Sequence, residues 1–267
     1  TIFITHILIE AQKKGYYTIF VDSENAYSPE FAKMLGIDAD KLGYSAPRTV
    51  EDCFYYMETI IKSIREVDKD TPIVIGYDSI AASPSKAEFE AEDTKKYDGN
   101  PMDGAIRAKS TGACLRKINP VLREEKVALV IINQLRHKVG VTHGDPSTPA
   151  GGGKSLEYYL GVNIKTVASG KDAKVVDDDK QVIGIKGLCK NTKNKVSVPF
   201  KECGFELIFD KGLNPLYGLL QQLVLDKQVT RNGAWYAYKD MKFQNKTFMD
   251  KFLTDDKFSE LRKVVGL

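Results

Sequence analysis

The chain has 267 residues, 42% hydrophobic and 28% charged, with a formal net charge of +3. At roughly 150 residues per domain, this length suits one large domain, or one with a small satellite, that buries its core without disulfide staples. The composition excludes wholesale disorder, the near-balanced charge excludes bulk attraction as the basis for binding a polyanion, and no apolar run reaches the roughly 18 residues of a membrane helix.

Residues 1–15 read as a helix ending at Gly15. It begins without Met and without a cap or turn before it, so we expect a segment of a longer protein. Residues 16–22 (YYTIFVD) form a near-continuous β-prone run, as in a buried strand. Val50, Phe54, Met57, Ile61 and Ile64 make a helical stripe over 49–67. Ile73 to Ile75 lead into Gly76-Tyr77-Asp78, a second buried strand ending in an acid. Ala108, Thr111, Leu115, Ile118 and Leu122 mark a helix over 105–124, and Val127 to Ile132 a third strand ending in Asn133-Gln134. This alternation predicts an α/β fold with a mostly parallel sheet flanked by helices. Beyond residue 160 the runs 162–167, 182–188, 196–200 and 205–209 read as shorter strands joined by hairpins. Asp177-Asp178-Asp179 reads as a solvated turn at a hairpin tip rather than a metal site. Short helices and the run Ala234–Tyr238 predict a small C-terminal α/β module from residue 213 on.

Ligands of parallel sheets bind beyond the carboxyl ends of the strands. Three expected strands end there in polar groups: Asp22-Ser23-Glu24, Asp78-Ser79 and Asn133-Gln134. An aspartate closing an apolar strand suits a Walker B element, whose carboxylate holds Mg²⁺ through water. Glu24 is placed to orient attacking water, and Gln134 to sense a terminal phosphate. The phosphate cradle has one candidate within the chain, Gly151-Gly152-Gly153-Lys154-Ser155. Thr148 stands where the first P-loop glycine belongs, and Pro149 has no amide hydrogen, so we read this run as a glycine hinge entering a helix at 156–160. Two long loops, 84–104 and 135–150, leave the same sheet edge. The first holds Lys86, Lys95 and Lys96; the second holds Arg136, His137, Lys138 and His143. Long loops in a compact domain are usually functional, and basic residues mixed with Met102 and Val139 suit a single strand of nucleic acid. Cys53, Cys114, Cys189 and Cys203 form no C-x-x-C pair, and only three histidines are present. That argues against structural zinc and fits a reducing, cytoplasmic setting.

The runs Phe20–Ala26, Pro29 with Phe31–Asp38, Tyr77–Ala82, Ile132–Val141 with Gly144-Asp145-Pro146, Lys193-Asn194-Lys195 with Pro199-Phe200-Lys201, and Gly233–Tyr236 resemble the bacterial and phage RecA recombinase family. The resemblance is collinear over essentially the whole chain. It implies a RecA-like ATPase core over 1–212 and a small C-terminal domain over 213–267. It implies ATP and Mg²⁺ as cofactors, filaments on single-stranded DNA, strand exchange with homologous duplex DNA, and no membrane association. Thr1 falls on the last P-loop residue, the hydroxyl that binds Mg²⁺, so the glycines and lysine are expected upstream and these 267 residues alone are expected to be a very poor ATPase.

By position, Glu24 resembles the catalytic glutamate, Asp78 the Walker B acid, with Ser79 beside it among the nucleotide-binding residues, and Gln134 the switch between nucleotide and DNA loop. Phe31 takes the place of the aromatic on adenine, while Ser28 stands where an Asp often reads the base. Lys193 and Lys195 match lysines reaching a neighbour's nucleotide, and Tyr158 an interface aromatic. The loop 84–104 matches the first DNA loop, enlarged here. The loop 135–150 matches the second, with Arg136 and Lys138 as its cations, Val139 as the wedge between base triplets, and Gly151 and Gly152 at its exit. Arg116 and Lys109 match residues contacting the DNA backbone. The alternative is a related hexameric or regulatory ATPase without strand exchange.

Overall fold

A computed structural model describes residues 1–92, 103–137, 147–149, 153–168, 170 and 173–265. The chain divides into two compact units, 1–160 and 161–267. The boundary expected at 212/213 falls inside the second unit, where the later segment has a core of its own.

The first unit runs α1 (Ile2–Lys13), β1 (Tyr17–Asp22), α2 (Pro29–Leu35), β2 (Leu42–Ser45), α3 (Val50–Val67), β3 (Ile73–Asp78), α4 (Lys86–Glu92), α5 (Asp103–Glu124), β4 (Val127–Ile131), β5 (Leu135–His137), β6 (Ser147–Pro149) and α6 (Gly153–Tyr159). Its main sheet has the order β2-β1-β3-β4, and all three pairings are parallel. Successive side chains of a strand point to opposite faces. Ile19, Val21, Ile73, Ile75 and Tyr77 therefore pack with Phe54, Met57, Ile61, Leu115 and Ile118 of α3 and α5. Phe20 and Val74 pack with Ile4, Leu8 and Ile9 of α1 on the other face. Gly76 permits that second contact: a Cβ there would overlap Ile4 Cγ2.

Neither α2 nor β2 is long enough to show periodicity in the sequence, and local chemistry defines α2 instead. Ser28 accepts a hydrogen bond from Phe31 N–H at the N-cap, Pro29 occupies the first turn, and Gly36 closes the helix at φ 110°. The loop expected from 84 begins as α4. The Ser85 hydroxyl and amide both bond to Glu88 Oε2 (2.8 and 2.6 Å), and the Glu88 amide returns to Ser85 Oγ (3.3 Å), a capping box at helix spacing. Lys86, expected among the DNA-loop cations, pairs with Asp52 at 2.8 Å. The second long loop is closed at its base, because β5 and β6 pair antiparallel with Arg136 opposite Thr148. Lys95, Lys96, Lys138, Val139, His143, Gly151 and Gly152 lie outside the described residues.

The second unit contains β7 (Val162–Ala168), β8 (Lys174–Val176), β9 (Val182–Asn194), β10 (Glu202–Ile208), β11 (Gly212–Leu213), α7 (Pro215–Leu225), β12 (Thr230–Asn232), β13 (Trp235–Tyr238), β14 (Met241–Gln244), α8 (Asn245–Lys251) and α9 (Ser259–Val264). Antiparallel pairing sets the order β11-β10-β9-β7, with β8 also on β9. The strand expected at 196–200 is a turn. β9 continues to Asn194, whose side chain accepts from the amides of Val196 and Ser197 (both 2.9 Å), and Phe200 takes φ 64°. Local side-chain capping wins over the apolar alternation of Val196, Val198 and Phe200, which leaves all three exposed. The 177–179 run is a turn in which Asp177 Oδ1 accepts from the amides of Asp179 and Gln181. Leu220, Tyr236, Phe243, Phe248, Phe252 and Phe258 form the core of the C-terminal segment.

Candidate nucleotide site

Parallel register aligns Asp22 of β1 with Asp78 of β3, so both carboxylates leave the sheet at one edge. Thr1 reaches the same edge from the N-cap position of α1. An N-cap hydroxyl ordinarily accepts from an amide one turn into its helix. Thr1 makes no such cap bond; its Oγ1 donates to Asp78 Oδ2 at 2.5 Å. Asp78 is 3% exposed. A buried carboxylate beside a hydroxyl at a strand end offers the oxygen donors that Mg²⁺ prefers. Among the described residues no group of three or more His, Cys, Asp or Glu is arranged to hold a metal.

The three strand ends are joined beyond the sheet. Ser79, fully buried, donates its hydroxyl to Glu24 Oε1 at 2.5 Å, and the Gln134 amide donates to the same oxygen at 3.0 Å. Ser23 ties the two loops together: its amide donates to Asp78 O (2.8 Å) and its hydroxyl accepts from Ser79 N–H (3.0 Å). Glu24 and Gln134 remain exposed at the rim, while Ser79 is buried and Ser23 half-buried. One oxygen of Glu24 is thus committed to the protein, and Oε2 has no hydrogen-bond partner among the described contacts.

Asp22 has a role the sequence reading missed. It is 1% exposed, and its oxygens accept from the amides of Glu24 (3.1 Å), Ala26 (3.4 Å) and Tyr27 (3.0 Å) and from the Tyr44 hydroxyl (3.1 Å). It acts as the hub of the turn carrying Glu24, including Asn25 at φ 52°. The available signal was an Asp two residues before Glu24, the spacing of a side chain folding back onto its own backbone. Tyr44 belongs to a stack with Phe20 and Tyr27, with centroids 5.2 to 6.4 Å apart. Burial, with the Asp22 carboxylate beside it, holds the Tyr44 phenol above its usual range, so it stays a donor.

Phe31 is half-buried in the first turn of α2, and Ser28 is engaged as that helix's cap. Lys109 and Arg116, seven residues apart on α5, are both exposed on one face, and Arg136 is exposed on β5. Tyr158 is 77% exposed on α6. Lys193 lies near the end of β9 and Lys195 just beyond it, where its amide donates to Gly161 O at 2.8 Å.

The family profile of the RecA N-terminal domain matches residues 1–214. The chain belongs to the RecA family. It is 34% identical to the RecA protein of Fusobacterium nucleatum over 88% of this chain and 58% of that protein. It is 36% identical to RecA of Thermus aquaticus (87% and 64%) and 33% identical to RecA of Streptomyces rimosus (94% and 62%). The chain therefore spans about three fifths of the length of the curated relatives it matches. A crystal structure of the RadB recombinase superposes with a TM-score of 0.52 at 15% identity, covering 78% of this chain and 83% of that one, a likeness of fold. The expected α/β architecture is thereby met in a RecA-family sheet. Among the described residues no helix is long and apolar enough to cross a membrane.

Proposed function

We propose that this RecA-family chain is the core of an ATP-dependent, DNA-dependent ATPase that forms filaments on single-stranded DNA and promotes strand exchange with homologous duplex. The observation that carries this reading is the pair of clusters at one sheet edge, Thr1–Asp78 and Ser79–Glu24–Gln134. ATP with Mg²⁺ supplies the phosphoryl group and the cation that neutralises charge in its transfer. Thr1 and Asp78 would hold the Mg²⁺, and Phe31 would pack on the base. Glu24 would accept the proton of attacking water through Oε2. Gln134 would report the state of the site to the segment after β4, where Arg136, Lys138, Val139, Gly151 and Gly152 would meet DNA with Lys109 and Arg116. Lys193, Lys195 and Tyr158 would serve the contact with a second copy. A cytoplasmic location is part of this reading, as is the division into a core and a C-terminal module.

The test uses the chain extended upstream with a complete phosphate cradle. Glu24→Gln keeps the size of the side chain and removes the base, so hydrolysis falls by roughly 10²–10⁴ while ATP-dependent DNA binding persists. Normal hydrolysis by that variant overturns the assignment. Hydrolysis that needs Glu24 without strand exchange by the parent protein favours a regulatory or hexameric ATPase.

A further inference from the structure

Two of the four cysteines face each other. The β9–β10 ladder places Cys189 directly opposite Cys203 in an unbroken antiparallel register. Facing residues in such a ladder carry their side chains on the same face. Both thiols are free and half-buried. Their neighbours hold the register. Lys190 pairs with Glu202 at 2.9 Å one step towards the turn, and Lys186 with Glu206 at 3.4 Å three steps the other way. On the cysteines' own face the Phe205 ring covers Gly187, where a Cβ would overlap Phe205 Cζ, so a slide that brought a larger residue under the ring would clash. Thr166 of β7 flanks Cys189 on its other side.

The ladder also sets the separation. The amide of Asn191 donates to Lys201 O, and that of Phe209 to Ile183 O, both at 2.9 Å. Bonded and non-bonded pairs alternate along an antiparallel ladder, so Cys189–Cys203, in the same register and of the same parity, belongs to the bonded set. Such pairs have Cα atoms about 5.5 Å apart, inside the range a disulfide spans. The Cβ atoms must still close to about 3.8 Å, which strains the bridge and makes it readily reduced.

We infer that Cys189 and Cys203 form a reversible redox modification site, joined as a cross-strand disulfide by a hydroperoxide oxidant. One Sγ attacks the peroxide oxygen to form a sulfenic acid and release water. The second Sγ then displaces the hydroxyl as a second water. In sum two thiols and one hydrogen peroxide become one disulfide and two waters. Burial, and for Cys189 the adjacent Cys203 sulfur, hold both thiols above their usual range, so they are protonated at neutral pH and the first step needs excess oxidant. Cys53 and Cys114, both pushed up to about 11, are buried or half-buried in the other unit and serve as internal references. The bridge would clamp the base of the hairpin that carries Lys193 and Lys195. Any effect on assembly rests on the proposed function; the bridge itself does not.

The test uses the reduced 267-residue chain in hydrogen peroxide, native or unfolded in urea. Remaining thiols are then alkylated in denaturant, and the chain is digested with trypsin without reduction. The native sample should yield residues 187–190 linked to residues 202–211, two hydrogens lighter than the sum and separated by dithiothreitol, with Cys53 and Cys114 alkylated. The share of this link should be at least tenfold higher than in urea, and Cys203→Ser should abolish it. Native chain in which both cysteines remain alkylated, or are each oxidised to sulfinic acid, overturns the inference. So does an equal share of the link in urea, because the sheet would then not be what pairs them.

Discussion

At the residue scale, the site depends on a buried aspartate that need not touch any ligand. Three backbone amides and the Tyr44 hydroxyl converge on Asp22, and the turn they define carries Glu24. A hydrogen bond to a charged acceptor contributes about 1.5–3 kcal/mol. Tyr44→Phe removes one such bond and keeps the aromatic stack; because Tyr44 is 46% exposed and water can replace the hydroxyl, chemical denaturation should show a smaller loss, about 1–2 kcal/mol. Asp22→Ala strands four donors and should cost more than Tyr44→Phe. If Asp22→Ala is neutral by the same measurement, the turn is held by something other than this hub. Ser79 and Gln134 act on Glu24 in the complementary way, fixing one oxygen and leaving the other to the rim.

At the element scale, the position of Thr1 depends on how closely α1 lies on the sheet. Thr1 is the N-cap of α1, and Ile4 of that helix occupies the space above Gly76. Gly76→Ala should therefore push α1 away. Overpacking of this kind costs about 1–3 kcal/mol, read as a lower denaturation midpoint. The same shift should break the Thr1–Asp78 bond and weaken Mg²⁺-dependent nucleotide binding in the chain extended with a phosphate cradle. Unchanged stability in Gly76→Ala would mean that α1 rides loosely on β3. Legibility also differed by element. Strands β1 and β3 were readable because both faces are buried and the apolar run is continuous. α4 was masked by its surroundings, although Ser85 and Glu88 carry the spacing of a capping box. The 196–200 run misled because apolar alternation describes a strand only where a partner covers it, and here Asn194 turns the chain first.

At the scale of the whole molecule, a net charge of +3 means that the proposed DNA binding rests on local contacts. Lys109, Arg116 and Arg136 are exposed cations in the first unit, on α5 and β5. In the extended protein, binding to single-stranded DNA should weaken steeply with salt, each phosphate contact adding about −0.7 to the log–log slope. Arg136→Ala or Arg116→Ala should lower affinity and make the slope shallower by about that amount. A salt series that leaves both variants with the parent slope would remove them from the DNA path.

The sequence by itself determined the alternating strands and helices, the three polar strand ends and the RecA resemblance, because each is written in local periodicity or in contiguous motifs. Only the tertiary structure decided that Asp22 is the hub of the turn carrying Glu24 and that Thr1 turns from its helix to Asp78. Only it showed that Lys86 is spent on Asp52 and that Cys189 meets Cys203. These facts depend on strand register and on the approach of distant segments. A hydrogen bond across 77 residues, or a pair of thiols 14 residues apart in sequence, leaves no local period to read.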